Sequence, residues 1–204
     1  MSTTNNKHRR SKKKALEKKN APPVGLITMG LGIVFIGVAA LFLIPKSESA
    51  ASAGGAPEEY SSIPMEVDFA APELALENLA GEPESLTDYQ GQVVLLNLWA
   101  TWCPPCKAEI PILQEYYEEH RADGFVILGV DSQESPEVVE NYIVTTDVSY
   151  PIWIDEQGKA GEAFSSFSLP TSFVIDREGT VRLAWVGEIS KAMLEKHVTP
   201  VIEQ

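Results

Sequence analysis

The only two thiols in this 204-residue chain, Cys103 and Cys106, stand in the run Trp99-Ala100-Thr101-Trp102-Cys103-Pro104-Pro105-Cys106. A C-x-x-C pair has two chemistries open to it, dithiol/disulfide exchange or half of a four-ligand metal site. A zinc site needs two more ligands, and past the first ten residues the only histidines are His120 and His197. Both fall in predicted helices, where solvated or capping roles suit them, so no metal is expected. A purely structural disulfide would close a loop of four residues, which removes little chain entropy.

The surroundings of the pair favour redox exchange. Residues 93–99 (VVLLNLW) read as a strand apolar on both faces, ending where Pro104-Pro105 opens an amphipathic helix. Cys103 then sits at or next to the N-cap, where the helix dipole and free amides favour thiolate, and Cys106 lies one turn inside on the buried side. An exposed, partly ionised attacker beside a shielded resolving thiol is the asymmetry that exchange requires. Glu109, three residues after Cys106, shares its helix face and is placed near the pair.

The intervening prolines bear on direction. An N-cap thiolate is stabilised by the amides of the next helical residues, and Pro104 and Pro105 have no N–H, which leaves the amide of Cys106 as the nearest donor. Fewer donors and an acidic surrounding predict a Cys103 pKa nearer the thioredoxin value (about 7) than that of DsbA (about 3.5), and a reducing couple.

Residues 97–106 (NLWATWCPPC), Glu109-Ile110-Pro111 and residues 169–176 (LPTSFVID) together resemble the membrane-anchored TlpA/ResA type of thioredoxin-like protein, over roughly residues 64 to 203. The resemblance implies a thioredoxin-like α/β fold, a central mixed β-sheet flanked by helices, with the extra helix of TlpA-like proteins and one N-terminal transmembrane helix before it. It implies Cys103 and Cys106 as catalytic residues, Glu109 as a group active in thiol acid/base behaviour, and a cis bond before Pro170. Trp102, Leu169, Pro170 and Thr171 would then bind substrate, with the backbone of residue 169 pairing an extended client. No cofactor beyond the redox-active disulfide is implied. Partners would be cysteine-containing client proteins, among them apocytochrome c during cytochrome c maturation, and a transmembrane thiol-reductase electron donor. An oxidant of disulfide formation and a non-catalytic tethered client- or haem-binding module stay open as alternatives. Plain thioredoxins carry an aspartate where Asn97 stands, so the acid/base role is vacant there. A peroxiredoxin would want threonine at position 100, which is Ala, and a Sco-type copper chaperone would want C-x-x-x-C.

Charge divides the chain. Residues 1–20 carry eight Lys/Arg against one acid, and residues 46–204 carry eight against 28, segment charges of +7 and −20. Between them residues 24–44 hold no charge and would span about 30 Å as a helix, the thickness of a bilayer core. The expected organisation is a basic cytoplasmic tail (1–23), a transmembrane anchor (24–44), a flexible linker (45–62) and a thioredoxin-like domain (63–204). The positive-inside rule puts the N-terminus in the cytoplasm and the catalytic domain outside, on a single-pass protein of the cell (inner) membrane. Ala51-Ser52-Ala53 offers a cleavage site for the alternative of a signal peptide, but the apolar run is longer than such peptides carry. The acidic ectodomain argues against nucleic acid.

Within the domain the patterning predicts strands at 73–77, 93–99, 125–130, 152–154, 172–175 and 181–186. Helices are expected at 104–121 with a kink at Pro111, at 136–146, 160–167 and 190–202. Trp99 reads as core and Trp102 as exposed apolar rim.

Overall fold

The computed structural model describes residues 62–204; the basic tail, the apolar span and all but the last residue of the linker lie outside the described residues. In chain order the elements are β1 (Met65–Ala70), β2 (Ala75–Asn78), β3 (Pro83–Ser85), β4 (Val93–Trp99), α1 (Pro104–His120), β5 (Phe125–Ser132), α2 (Pro136–Ile143), β6 (Ile152–Asp155), α3 (Lys159–Ala163), β7 (Thr171–Ile175), β8 (Thr180–Val186), α4 (Lys191–His197) and α5 (Thr199–Ile202). Short 3-10 turns follow β3 and α1. Among the described residues no helix is long and apolar enough to cross a membrane.

The strands form one mixed sheet in the order β1-β8-β7-β4-β5-β6-β2-β3. β4, β5 and β6 run parallel, while β7 joins β4 antiparallel and β8 continues that side. Every residue of β4 is buried, as a strand covered on both faces requires. Strand alternation sends Val93, Leu95 and Trp99 to one face, where they meet Ile110, Leu113 and Tyr116 of α1 and Leu194 of α4. Val94, Leu96 and Leu98 go to the other face, against Ala160 of α3 and Phe164. Asn97 shares the parity of Leu95 and Trp99, so this single polar residue in the strand points at α1.

The buried residues of α1 are Cys106, Glu109, Ile110, Leu113 and Tyr116, a stripe at helical spacing in which Glu109 takes a core position. The helix continues through Pro111, whose ring lies on the exposed side. Several predicted boundaries move. The strand expected at 73–77 is β2 at Ala75–Asn78, and the edge strands β1 and β3 were not expected. The helix expected at 136–146 stops at Ile143, that at 160–167 runs Lys159–Ala163, and that at 190–202 divides at Val198, before Thr199-Pro200. Ser62 is already tied to the domain: its N–H donates to Glu188 O at 2.9 Å and its carbonyl accepts from Trp185 Nε1. His120 and His197 are partly exposed and also packed on aromatic rings, His120 on Tyr116 with centroids 4.4 Å apart and His197 edge-on to Trp185.

Candidate active site

The end of β4 turns through Ala100-Thr101-Trp102 into α1, and the turn is held from outside. The carboxylate of Glu134 accepts from the Thr101 N–H at 2.5 Å and from its hydroxyl at 2.7 Å, and the Cys103 N–H donates to Ala100 O at 3.2 Å. Cys103 is the N-cap of α1 and is disulfide-bonded to Cys106, with S–S 2.04 Å. The Cys106 N–H donates to Cys103 Sγ at 3.3 Å, the backbone donor that the Pro104-Pro105 pair leaves. The expected exposure of Cys103 is not found: in the disulfide form it is only 3% exposed and Cys106 is 0% exposed. The asymmetry survives in a narrower sense, since Cys103 is the one residue of the pair with any exposed surface.

Behind the pair lies a buried carboxyl. Glu109 Oε1 accepts from Asn97 Nδ2 at 2.7 Å, and Oε2 accepts from the Ile189 N–H at 3.2 Å. The second hydrogen of the Asn97 amide goes to Ser172 Oγ at 2.9 Å, so Asn97 ties α1, β4 and β7 together through the position that plain thioredoxins give to an acid. Burial pushes the Glu109 carboxyl up to about 8, and the two donors offset only part of that shift. The phenol of Tyr150, also buried, is raised chiefly by its own desolvation and then by the charge of Glu109.

The Leu169–Pro170 bond is cis, as expected. Pro170 is buried, and its carbonyl accepts from Gly187 N–H at 2.8 Å. Among the described residues neither the N–H nor the C=O of Leu169 has a hydrogen-bond partner, which leaves one unpaired peptide edge at the head of β7. Thr171 is 1% exposed and turns its hydroxyl to Ser168 O at 2.7 Å, so its side chain fixes the loop and faces away from solvent. Trp102 is 66% exposed, the apolar rim that was expected beside the nucleophile. Trp99 is core.

Sequence reasoning did not single out Asp131 and Glu134. Asp131 is fully buried at the end of β5, in register with Trp99, and neither of its carboxyl oxygens has a hydrogen-bond partner. Burial, and then the neighbouring Glu134, raise it to about 8. The signal was in the sequence, as an acid inside the apolar run FVILGVDS.

Residues 67–184 match the AhpC/TSA family. The chain belongs to that family, in its TlpA/ResA-like, thioredoxin-like part. A thiol-disulfide oxidoreductase ResA of Bacillus thuringiensis subsp. konkukian is 34% identical over 137 residues, which cover 67% of this chain and 79% of that one. A ResA of Geobacillus kaustophilus is 36% identical over 135 residues, 66% of this chain and 78% of the relative. The crystal structure of a thiol:disulfide interchange protein described as DsbE, from Chlorobium tepidum, superposes with a TM-score of 0.63 at 28% identity, covering 66% of this chain and 96% of that one. The chain is a thiol:disulfide oxidoreductase, and its redox group is the Cys103–Cys106 pair itself rather than a cofactor.

Proposed function

We propose that this protein is a membrane-tethered reductase of client disulfides outside the cytoplasm, with apocytochromes c among its clients. In the forward direction the Cys103 thiolate attacks one sulfur of a client disulfide, breaking that bond and forming a mixed disulfide. Cys106 gives up its proton to Glu109 and attacks Cys103 Sγ, so the Cys103–Cys106 bond forms and the client leaves with both sulfurs reduced. Two electrons pass to the client, and a transmembrane thiol carrier returns two electrons and two protons to the pair. The open edge of Leu169, flanked by Trp102 and Pro170, docks the client backbone as an added strand.

The direction rests on one observation. The Cys103 sulfur accepts a single backbone hydrogen bond, from Cys106, because Pro104 and Pro105 have no N–H to offer. A thiolate with few donors is less stabilised, and a dithiol whose reduced form is less stabilised is the stronger reductant. The reduction potential of the pair, read from thiol trapping at equilibrium in graded dithiol buffers, tests this. A value of about −270 mV or lower is expected; one near about −120 mV would mark an oxidant of disulfide formation.

A further inference from the structure

Next to the Trp102 turn and the Leu169 edge lies a cleft of about 350 Å³ whose remaining lining the exchange steps do not use. Trp102, Leu169, Gln133, Gly158, Glu162 and Phe167 are among the residues that line it. Three features set it apart from an ordinary surface hollow. Phe167 is 84% exposed and Trp102 66%, the two most exposed aromatic rings among the described residues, and both stand on this one rim. An exposed aromatic pair at one site marks an interaction surface rather than a scatter of surface apolar groups. The only two non-glycine residues with positive φ among the described residues also border it: Gln133 at 65°, itself a lining residue, and Ser165 at 52°, next to the lining residue Ser166. Such conformations cost roughly 1–3 kcal/mol each and gather at ligand clamps. Finally, Glu162 is the single charged residue in the lining, and no cation balances it there.

The cleft is continuous with the unpaired edge of Leu169, so a client strand laid on that edge carries its neighbouring side chains over it. At about 3.3 Å per residue, a side chain two positions from the client's reacting cysteine lies about 7 Å along the strand and on the same face of it. We infer that this cleft selects clients, taking cysteine-containing segments that place an aromatic residue between Trp102 and Phe167 and a lysine or arginine against Glu162, next to the disulfide to be reduced. The inference rests on the reductase reading above and adds the chemistry of its substrate. The charge of −20 on residues 46–204 also draws cations in from a distance, but that attraction is screened beyond about 8 Å at physiological ionic strength, so discrimination at that salt falls to short-range contact with Glu162, which salt weakens less.

The test uses the reduced full-length protein and a set of disulfide-closed peptides of equal length, carrying Phe-Lys, Phe-Glu, Ala-Lys or Ala-Glu beside one cysteine. Second-order rate constants for their reduction are compared in 0.15 M salt. The Phe-Lys peptide is expected to react at least 10-fold faster than Ala-Glu. Glu162→Lys should invert the Lys-over-Glu preference, and Phe167→Ala should remove the Phe-over-Ala preference. Each readout is a ratio of two substrates on one protein, so it does not depend on the fraction folded. Equal rates for all four peptides, or ratios that survive both substitutions, overturn the selectivity of the cleft. Failure to reduce any peptide overturns the reductase reading and the inference with it.

Discussion

A carboxyl group that is fully buried behind a disulfide, hydrogen-bonded through both oxygens and raised to about 8, is placed to take a proton near neutral pH. Glu109 meets that description, and Asn97 holds it in place without competing for the proton. Glu109→Gln keeps the shape and the Asn97 contact but turns its NH2 toward the Ile189 N–H, so it should cost about 1–3 kcal/mol of stability and slow the Cys106 step by about 100-fold. Stopped-flow decay of a preformed mixed disulfide at Cys103 measures this. The wild-type rate should rise with an apparent pKa near 8, and the variant should lose that limb; an unchanged profile would reduce Glu109 to a structural role. The position of Glu109 was legible in the sequence, because three residues on a helix return to the same face as Cys106. Its partners were not. Asn97 read only as a missing acid, since nothing local shows that one amide reaches Ser172, 75 residues later.

Elements whose faces are both buried were the readable ones. β4 and β5 stand out as unbroken apolar runs, and α1 shows itself through its stripe and its N-terminal prolines. β1 escaped because almost all of MEVDFA is exposed, and its only strand partner, β8, lies more than 100 residues away. The C-terminal helix was expected to be continuous because the apolar spacing of Leu194, Val198 and Ile202 carries across the break, although Pro200 follows it. One feature of β5 is a packing requirement rather than a pattern. Gly129 lies opposite Asn97 in the parallel ladder, and a Cβ there would come within 2.7 Å of Ile152 Cδ1, 3.1 Å of the Tyr150 ring and 3.3 Å of Trp99 Nε1. These neighbours are themselves buried and cannot withdraw together. Gly129→Ala should therefore destabilise the domain by about 1–3 kcal/mol and shift the Trp99 fluorescence, both read from one urea titration. A neutral substitution would mean that β5 can slide relative to the Tyr150 segment.

At the scale of the whole molecule, two buried carboxyls with raised pKa values set how stability depends on pH. Glu109 and Asp131 both bind a proton more tightly folded than unfolded, each being raised to about 8 by burial. Their contribution is complete below the unfolded carboxyl range of about 4 and is lost as pH rises through about 8. The surface carries the opposite sign. Asp176 is held below its ordinary value by the Thr180 N–H and by Arg182, so its contribution is present above about 4 and is lost as pH falls through its lowered pKa. The two effects together place the stability maximum of the oxidised protein close to about pH 4, well on the acid side of neutral. Denaturant midpoints should fall from about pH 4 to about pH 8 and level off above it, with a slope of at most about 1.4 kcal/mol per pH unit for each titrating carboxyl. Asp131→Asn has no charge to bury, and its amide can still donate toward the neighbouring Glu134 as the protonated carboxyl does. It should flatten that slope and raise the midpoint at pH 8.5 while changing it little at pH 5. A variant whose curve runs parallel to the wild type would show that Asp131 stays ionised in the fold. Because the fold tolerates Glu109 and Asp131 best when they are protonated, the domain is least stable where Glu109 is ionised. Readiness to hold a charge behind the disulfide is thus set against the stability of the sheet that supports it.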